Sequence, residues 1–341
     1  MGSSPSPLHR SRNLAAGLVL LALLLVAAAL ASLAVGARPI PIGEVVDALL
    51  HPDATGTNAT IMRELRVPRT LLGLLVGTSI GLAGAIMQGV TRNPLADPGL
   101  LGIDAGAAMM VVLGITLFGL VSLPAYVWLA FIGAAIATAL VYAVASLGRE
   151  GATPVKLALA GAAVTAAFSS VTTGILMTNA MTLDAFRFWQ VGSLAGRDTA
   201  ILVGIAPFLA VGIALALITG RLLDAMALGD DIARGLGQRV MVSRIIAAVT
   251  WIILAGGATA AVGPIGFVGL TVPHAARAIT GPSYRWILPY SALLAPILLL
   301  GADILGRVLA PPGELQVGIV TAALGAPLFI ALVRRRRLAE L

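Results

Sequence analysis

Gly77-Thr78-Ser79-Ile80-Gly81 reproduces the G-x-S-x-G spacing of serine hydrolases, in which a serine Oγ attacks a carbonyl carbon. Such a serine needs a base within hydrogen-bond reach. Of the three histidines, at 9, 51 and 274, only His274 falls in an apolar run, and it is expected near one membrane face while Ser79 lies mid-span. The preferred reading is that Gly73, Gly77, Gly81 and Gly84 form a small-residue stripe that lets two helices approach closely. A phosphate-binding loop requires Gly-Lys-Ser/Thr, and the sole lysine, Lys156, sits in TPVKLAL, so any ATP is hydrolysed by another polypeptide. The absence of cysteine removes disulfides, thiolate metal sites and cysteine nucleophiles, and three histidines cannot build a histidine-rich metal site. Carboxylates in apolar runs are the usual proton relays of ion-coupled transport, and Asp104 and Asp303 are the main candidates. Asp303 stands four residues before Arg307, a spacing that also suits a neutralised pair on one helix face. Arg63, Arg66 and Arg69 recur one turn apart at the outer start of another apolar run. Snorkelling alone explains arginines at helix ends, but the positive-inside bias disfavours them on an outer face, so this cluster needs another reason.

The elements that must position these residues are membrane helices. The 341 residues are 59% hydrophobic and 11% charged, with a mean hydropathy of +1.00, against roughly 25% charge in a soluble domain. Runs long enough to cross a bilayer, about 20 residues each, fall at 14–36, 70–90, 99–119, 124–147, 155–178, 198–220, 243–262, 265–280, 286–309 and 315–333. The expected fold is an all-α integral membrane protein of about ten transmembrane helices in a single domain, 1–341, with short tails at 1–13 and 334–341. The first run is longer than the apolar region of a signal peptide and is expected to be kept as a helix. The eighth is interrupted by Gly263, Pro264, Gly266, Gly269 and Pro273, a broken pattern tolerated only where protein or a cavity covers the freed backbone. With the N-terminus inside, 15 of the 22 basic residues fall on the inner side. The positive-inside rule then makes both termini cytoplasmic. The net charge of +7 follows from this bias toward anionic lipid headgroups and calls for no nucleic acid.

Three connections are long enough to have a role. Residues 37–68 carry the amphipathic PIGEVVDALL, expected as a short surface helix. Residues 178–196 mix Phe188 and Trp189, expected as a membrane-boundary anchor, with Asp184 and Arg187. Residues 221–242 pair apolar Leu223, Met226 and Leu228 with Asp230-Asp231, suggesting two short helices joined at Gly229. LLVGTSIGLAGA (74–85) and ILAGGATAAVG (253–263) share small-residue spacing, consistent with a four-helix unit repeated over spans 2–5 and 7–10.

Four segments carry a resemblance. RVPRTLLGLLVGTSIGLAGAIMQGVTRNPLADPGLLGI (66–103), ALGDDIARGLG (227–237), GPIGFVGLTVPHAAR (263–277) and ADILGR (302–307) with GELQVGIVTAALGAPLFI (313–330) are similar, in order, to the FecCD family. These are permease subunits of ABC importers for iron-siderophores, haem and cobalamin. The resemblance implies a type II importer (BtuC-like) bundle that performs no bond chemistry and holds no cofactor. It pairs with a second permease copy or paralogue, two ATP-binding cassette ATPase subunits and an extracytoplasmic substrate-binding protein. Iron(III)-siderophore is the expected ligand by family frequency, with haem and cobalamin as alternatives and a proton-coupled secondary transporter as the rival class. In the family's cobalamin permease, arginines matching Arg66, Arg69 and Arg307 receive acidic residues of the binding protein. The resemblance also assigns Leu228, Gly229, Asp230, Asp231, Ala233, Arg234, Leu236 and Gly237 to ATPase coupling. Asn93, Pro94, Asp97, Pro98, Gly99, Gly266, Gly269, Pro273, His274 and Arg277 are its gating or structural motif residues. The path is expected along small and apolar residues of spans 5, 8 and 10, in a bacterial cytoplasmic membrane.

Overall fold

A computed structural model describes residues 7–36, 39–51, 56–97, 99, 102–120, 122–147, 153–311 and 313–337. These fold into helices, and seven of the helical segments are long and apolar enough to cross a membrane, with shorter apolar helices at Ile103–Phe118 and Val317–Pro327. In chain order, α1 (Pro7–Ala34) leads to the surface helix α2 (Ile42–Leu50). A turn, α3 (Thr57–Thr60), then winds through a π-helical segment at Ile61–Arg66 into α4 (Val67–Thr91). Next come α5 (Ile103–Phe118), α6 (Leu123–Ala145), α7 (Pro154–Thr178), the short α8 (Ala180–Gln190) and α9 (Thr199–Ile218). Two short helices follow, α10 (Gly220–Ala227) and α11 (Asp230–Gly235), and then α12 (Val240–Trp251), which passes through a π-helical turn into α13 (Gly257–Val262). α14 (Val268–Thr280), α15 (Tyr284–Leu309) and α16 (Val317–Arg337) complete the chain.

Helix starts follow local side-chain chemistry. Thr153, Asn179 and Asp198 accept the backbone N–H of Lys156, Thr182 and Ile201 at the heads of α7, α8 and α9, each satisfying one donor that a helix start leaves unpaired. The joint between α10 and α11 falls at Gly229, with φ 111°, a conformation that glycine adopts without steric cost. This is the joint expected from the sequence. The eighth span is broken as its pattern indicates: the chain is non-helical through 263–266, turns at Phe267 with φ 68°, and is helical only from Val268, with Pro273 buried inside that helix.

The central unit is the antiparallel pair α4 and α15. Gly73, Gly77 and Gly81 face Leu300, Pro296 and Ala295, and a Cβ on Gly77 would stand 2.5 Å from the Pro296 Cα. Gly84 lies against the backbone of Gly269 in α14. The stripe that mimicked a hydrolase motif is therefore a packing seam. Ser79 is fully buried, and its Oγ donates to the Leu75 carbonyl of its own helix at 2.7 Å. Trp189 departs from expectation: it is buried, with its ring 5.6 Å from that of the equally buried Phe186, because these two side chains of α8 pack into the core. It is a core residue and not a membrane-boundary anchor. The Phe188 side chain lies outside the described residues.

Candidate functional site

One end of the α4–α15 pair is a buried ion cluster. Arg69 enters from the first turn of α4 and grips both oxygens of Asp303, with Nη2 to Oδ1 at 2.7 Å, while its Nη1 donates to Glu314 at 2.7 Å. Arg307, one turn beyond Asp303 on α15, binds the same carboxylate at 2.5 Å. Arg307 also donates to the Ser32 and Val35 carbonyls at 2.8 Å, and Arg66 donates to those of Leu33 and Ala34 at 2.6 and 2.8 Å. These carbonyls close the C-terminus of α1, where a helix leaves its acceptors unpaired and its dipole favours cations. Three cations face two anions here. They line a cavity of about 210 Å³ with Gly36, Ile61, Leu65 and Glu314. The structure thus brings together the three arginines assigned by resemblance, and it holds them in place from within the chain. Arg197, buried in the adjoining loop 191–198, keeps its charge at neutral pH although burial lowers its pKa to about 10.

The other end is built on a single carboxylate. Asp230, at the start of α11, accepts from Arg92, which caps α4, and from Arg244 Nη2 of α12 at 2.8 Å. Arg92 Nε also donates to the Met226 carbonyl of α10 at 2.8 Å, so one guanidinium holds both short helices. Asp224 of α10 accepts the Tyr284 N–H at 2.5 Å and the Ser283 hydroxyl at 3.1 Å, at the head of α15. The opposite face of α10–α11 is open. Leu228, Ile232 and Leu236 recur at four-residue spacing and are 59%, 54% and 63% exposed. Asp231 and Arg234 beside them pair with each other at 2.9 Å. Gly229 and Gly237 shape the turns with positive φ, whereas Ala233 is fully buried.

Between the two ends, the segment after Arg92 folds back along α4. Asn93 and Asp97 accept the N–H of Leu95 and Gly99 at 2.9 Å, two tight side-chain turns that explain why this sequence needs Asn and Asp two residues before those positions. Asp97 and Asp104 come level with Ile80, halfway along α4, around a small cavity of about 20 Å³ shared with Gly99, Ala255, Thr259 and Ile265. Asp104 accepts the Thr259 hydroxyl at 2.9 Å. Asn93 is exposed and Pro94 half-buried, and Pro98 lies outside the described residues. Of the other motif residues, Gly266 is exposed, Gly269 and Pro273 are buried, and His274 is half-buried in α14. Arg277 donates to the Tyr284 hydroxyl at 2.5 Å, its guanidinium 5.3 Å from the ring centre.

Sequence reasoning passed over Ser32, Glu314, Asp224 and Ile232. The four-residue spacing of Leu228, Ile232 and Leu236 was available as a signal for Ile232. Nothing local marks Ser32 or Glu314, whose partners are distant in the chain.

The FecCD transport family model matches residues 23–335. The chain belongs to the FecCD transport family. Among FecCD relatives, the ferric enterobactin transport system permease protein FepD of Escherichia coli (strain K12) is 47% identical over 318 residues, 93% of this chain and 94% of that one. The probable siderophore transport system permease protein YfiZ of Bacillus subtilis (strain 168) is 44% identical over 281 residues, 82% of this chain and 84% of YfiZ. A solved structure described as an inward-facing conformation of a metal-chelate type ABC transporter superposes with a TM-score of 0.81 at 27% identity, covering 93% of this chain and 98% of its own. FecCD membership makes the chain a multi-pass membrane permease and removes the hydrolase and proton-coupled readings. Asp303, one of the two candidates for a proton relay, is already paired with two arginines.

Proposed function

We propose that this chain is the membrane-spanning permease subunit of a binding-protein-dependent ABC importer of iron(III)-siderophores. Relatives named for siderophore, ferric enterobactin, iron(3+)-hydroxamate and Fe(3+)-citrate transport support the ligand class. The observation that carries the mechanism is the two-faced α10–α11 unit, tied to the bundle by Asp230 and Asp224 and presenting Leu228, Ile232 and Leu236 outward. An exposed apolar stripe edged by charge suits a protein partner, and we assign it to the ATPase, with Asp231, Arg234, Gly229 and Gly237 at its border. Asp230 and Ala233 face the chain itself and hold the unit in shape.

The basic-residue bias puts the α10–α11 end and both termini in the cytoplasm of a bacterial inner membrane. The Arg307 end then faces outward. Its excess of one cation and its cavity suit a carboxylate presented by a substrate-binding protein. A second permease copy or paralogue would cover α7, whose membrane span is mostly unburied and whose exposed residues combine small or hydroxylic Ala163, Ala166, Ser170 and Thr173 with apolar Leu159 and Met177. The path would then run between the two copies, lined by residues of α7, α14 and α16. Movement is powered by the ATPase, and the permease contributes two conformations of different stability.

Uptake of ⁵⁵Fe-labelled enterobactin, ferric citrate and a ferric hydroxamate, with labelled haem and cobalamin in parallel, in cells lacking and regaining this gene, tests the assignment. Loss and return of one or more iron-siderophore signals alone is expected. Loss confined to haem or cobalamin would overturn the ligand, and no loss in any arm would overturn the importer reading.

A further inference from the structure

We propose that Arg92 and Asp224 are positioning residues that fasten the ATPase-facing helices α10 and α11 to the α4–α15 pair. Through them, this pair mechanically joins the arginine cluster at one end to the ATPase surface at the other. The inference rests on the importer reading above and names the residues through which the two partners sense each other.

Three observations carry it. First, α4 and α15 each have a polar cluster at both ends. α4 carries Arg69 in its first turn and is capped by Arg92, while α15 begins at the Asp224-held Tyr284 and ends past Asp303 and Arg307. With 25 and 26 residues, each spans about 38 Å. Second, their interface leaves no compliant layer between them. Gly77 and Gly81 set the backbone of α4 against Pro296 and Ala295, and Thr78 Oγ1 donates across the seam to the Ala292 carbonyl at 3.0 Å. Close-packed interfaces of this kind shift as bodies and do not absorb a push gradually. Third, the fastening is specific to the short helices. Arg92 reaches α10 through Met226 and α11 through Asp230, and Arg244 takes the second oxygen of that carboxylate. Arg92 itself adopts φ 52°, unusual for a residue with a Cβ, and opens the turn that leads back to Asp97 and Asp104. A displacement of α11 is therefore delivered to the cap of α4 and to the segment at mid-bundle together.

The test uses the full permease with its ATPase, reconstituted in proteoliposomes, with its substrate-binding protein added. Arg92→Gln is too short to span both helices. Asp224→Ala removes the second fastening from a different helix, so the test survives if one variant fails to fold. Expected for each folded variant are co-purification of the ATPase and basal ATP hydrolysis near the parent value, with the increment produced by the binding protein reduced about fivefold or more, a modest allosteric coupling energy. Arg92→Lys, which keeps the ion pair but not the second arm, is expected to recover part of that increment. The proposal is overturned if both variants retain the parent's stimulated rate, if basal and stimulated rates fall by the same factor, or if the ATPase no longer co-purifies. Should the parent complex itself bind no ATPase, the importer reading fails and takes this inference with it.

Discussion

The two ends of the α4–α15 pair use the same residue types toward opposite purposes. At the Arg307 end, the charges are turned inward: Asp303 and Arg307 are about 1% and 3% exposed, and the guanidiniums of Arg66 and Arg307 hold the carbonyls that end α1. At the Asp230 end, the ion pairs are partly open, and what faces the solvent is an apolar stripe edged by the exposed Asp231–Arg234 pair. The first end is a rigid socket whose polar groups are already satisfied. The second is a clasp with a hydrophobic outer face. Burial decides which perturbations are severe, because a charge stranded in the interior costs several kcal/mol while one at the surface is re-solvated.

The largest effect is therefore expected at Asp303. Asp303→Asn leaves Arg69 and Arg307 facing each other without their shared counter-charge, and breaking a buried pair in this way costs about 3–5 kcal/mol. Melting in detergent should drop steeply, with loss of membrane-inserted protein. A melting curve that overlays the parent's would show that the socket does not hold the bundle together. Arg69→Ala should be milder, since Glu314 is freed toward solvent at the same time.

Next comes the seam that joins the two ends. Gly77→Leu forces a side chain into the backbone of Pro296, an overpacking cost of about 1–3 kcal/mol or more. Gly204→Leu on α9, where a Cβ meets nothing within 4 Å, is the matched control and should melt like the parent. Equal losses in the two variants would point to helix propensity or lipid exposure as the cause.

At the clasp, the outer face is predicted to matter for partnership alone. Replacing Leu228 and Ile232 by Ser together should weaken ATPase association about 10- to 100-fold, the range for buried anchors at an interface. The melting temperature should stay unchanged. Pull-down of the ATPase against a dilution series reads this directly. Unaltered association would move the ATPase surface elsewhere.

The two ends were also unequally legible. The order of the membrane helices follows from apolar runs of bilayer length, although among the described residues seven of the ten runs form helices long and apolar enough to cross a membrane and the runs at 99–119, 265–280 and 315–333 form shorter ones. The α10–α11 joint was readable because Gly229 separates two short apolar patterns locally. The break before α14 was equally visible, since Gly263, Pro264 and Gly266 are consecutive signals. The socket was only half legible. The spacing of Asp303 and Arg307 on one helix indicated a pair, but Arg69 joins it across 234 positions of sequence and Ser32 across 275. No periodicity encodes such partners. Trp189 was misread for the same reason: its composition fits a membrane boundary, and only the packing of α8 determines that it faces inward.

Glu314 offers the smallest and sharpest test of the comparison. Its bridge to Arg69 is partly exposed, 31% on the carboxylate side and 12% on the arginine, so its own contribution to stability should be small, about 0–1 kcal/mol. If the Arg307 end receives a carboxylate from the binding protein, Glu314 is an internal competitor for Arg69. Glu314→Gln should then tighten that docking a few-fold at low salt, with the gain shrinking as ionic strength rises. Titration of the binding protein onto the reconstituted permease at two salt concentrations measures both effects. A weaker complex would mean that Glu314 shapes the socket and does not guard it, and the cavity beside Arg69 would then be part of the scaffold like the arginines that line it.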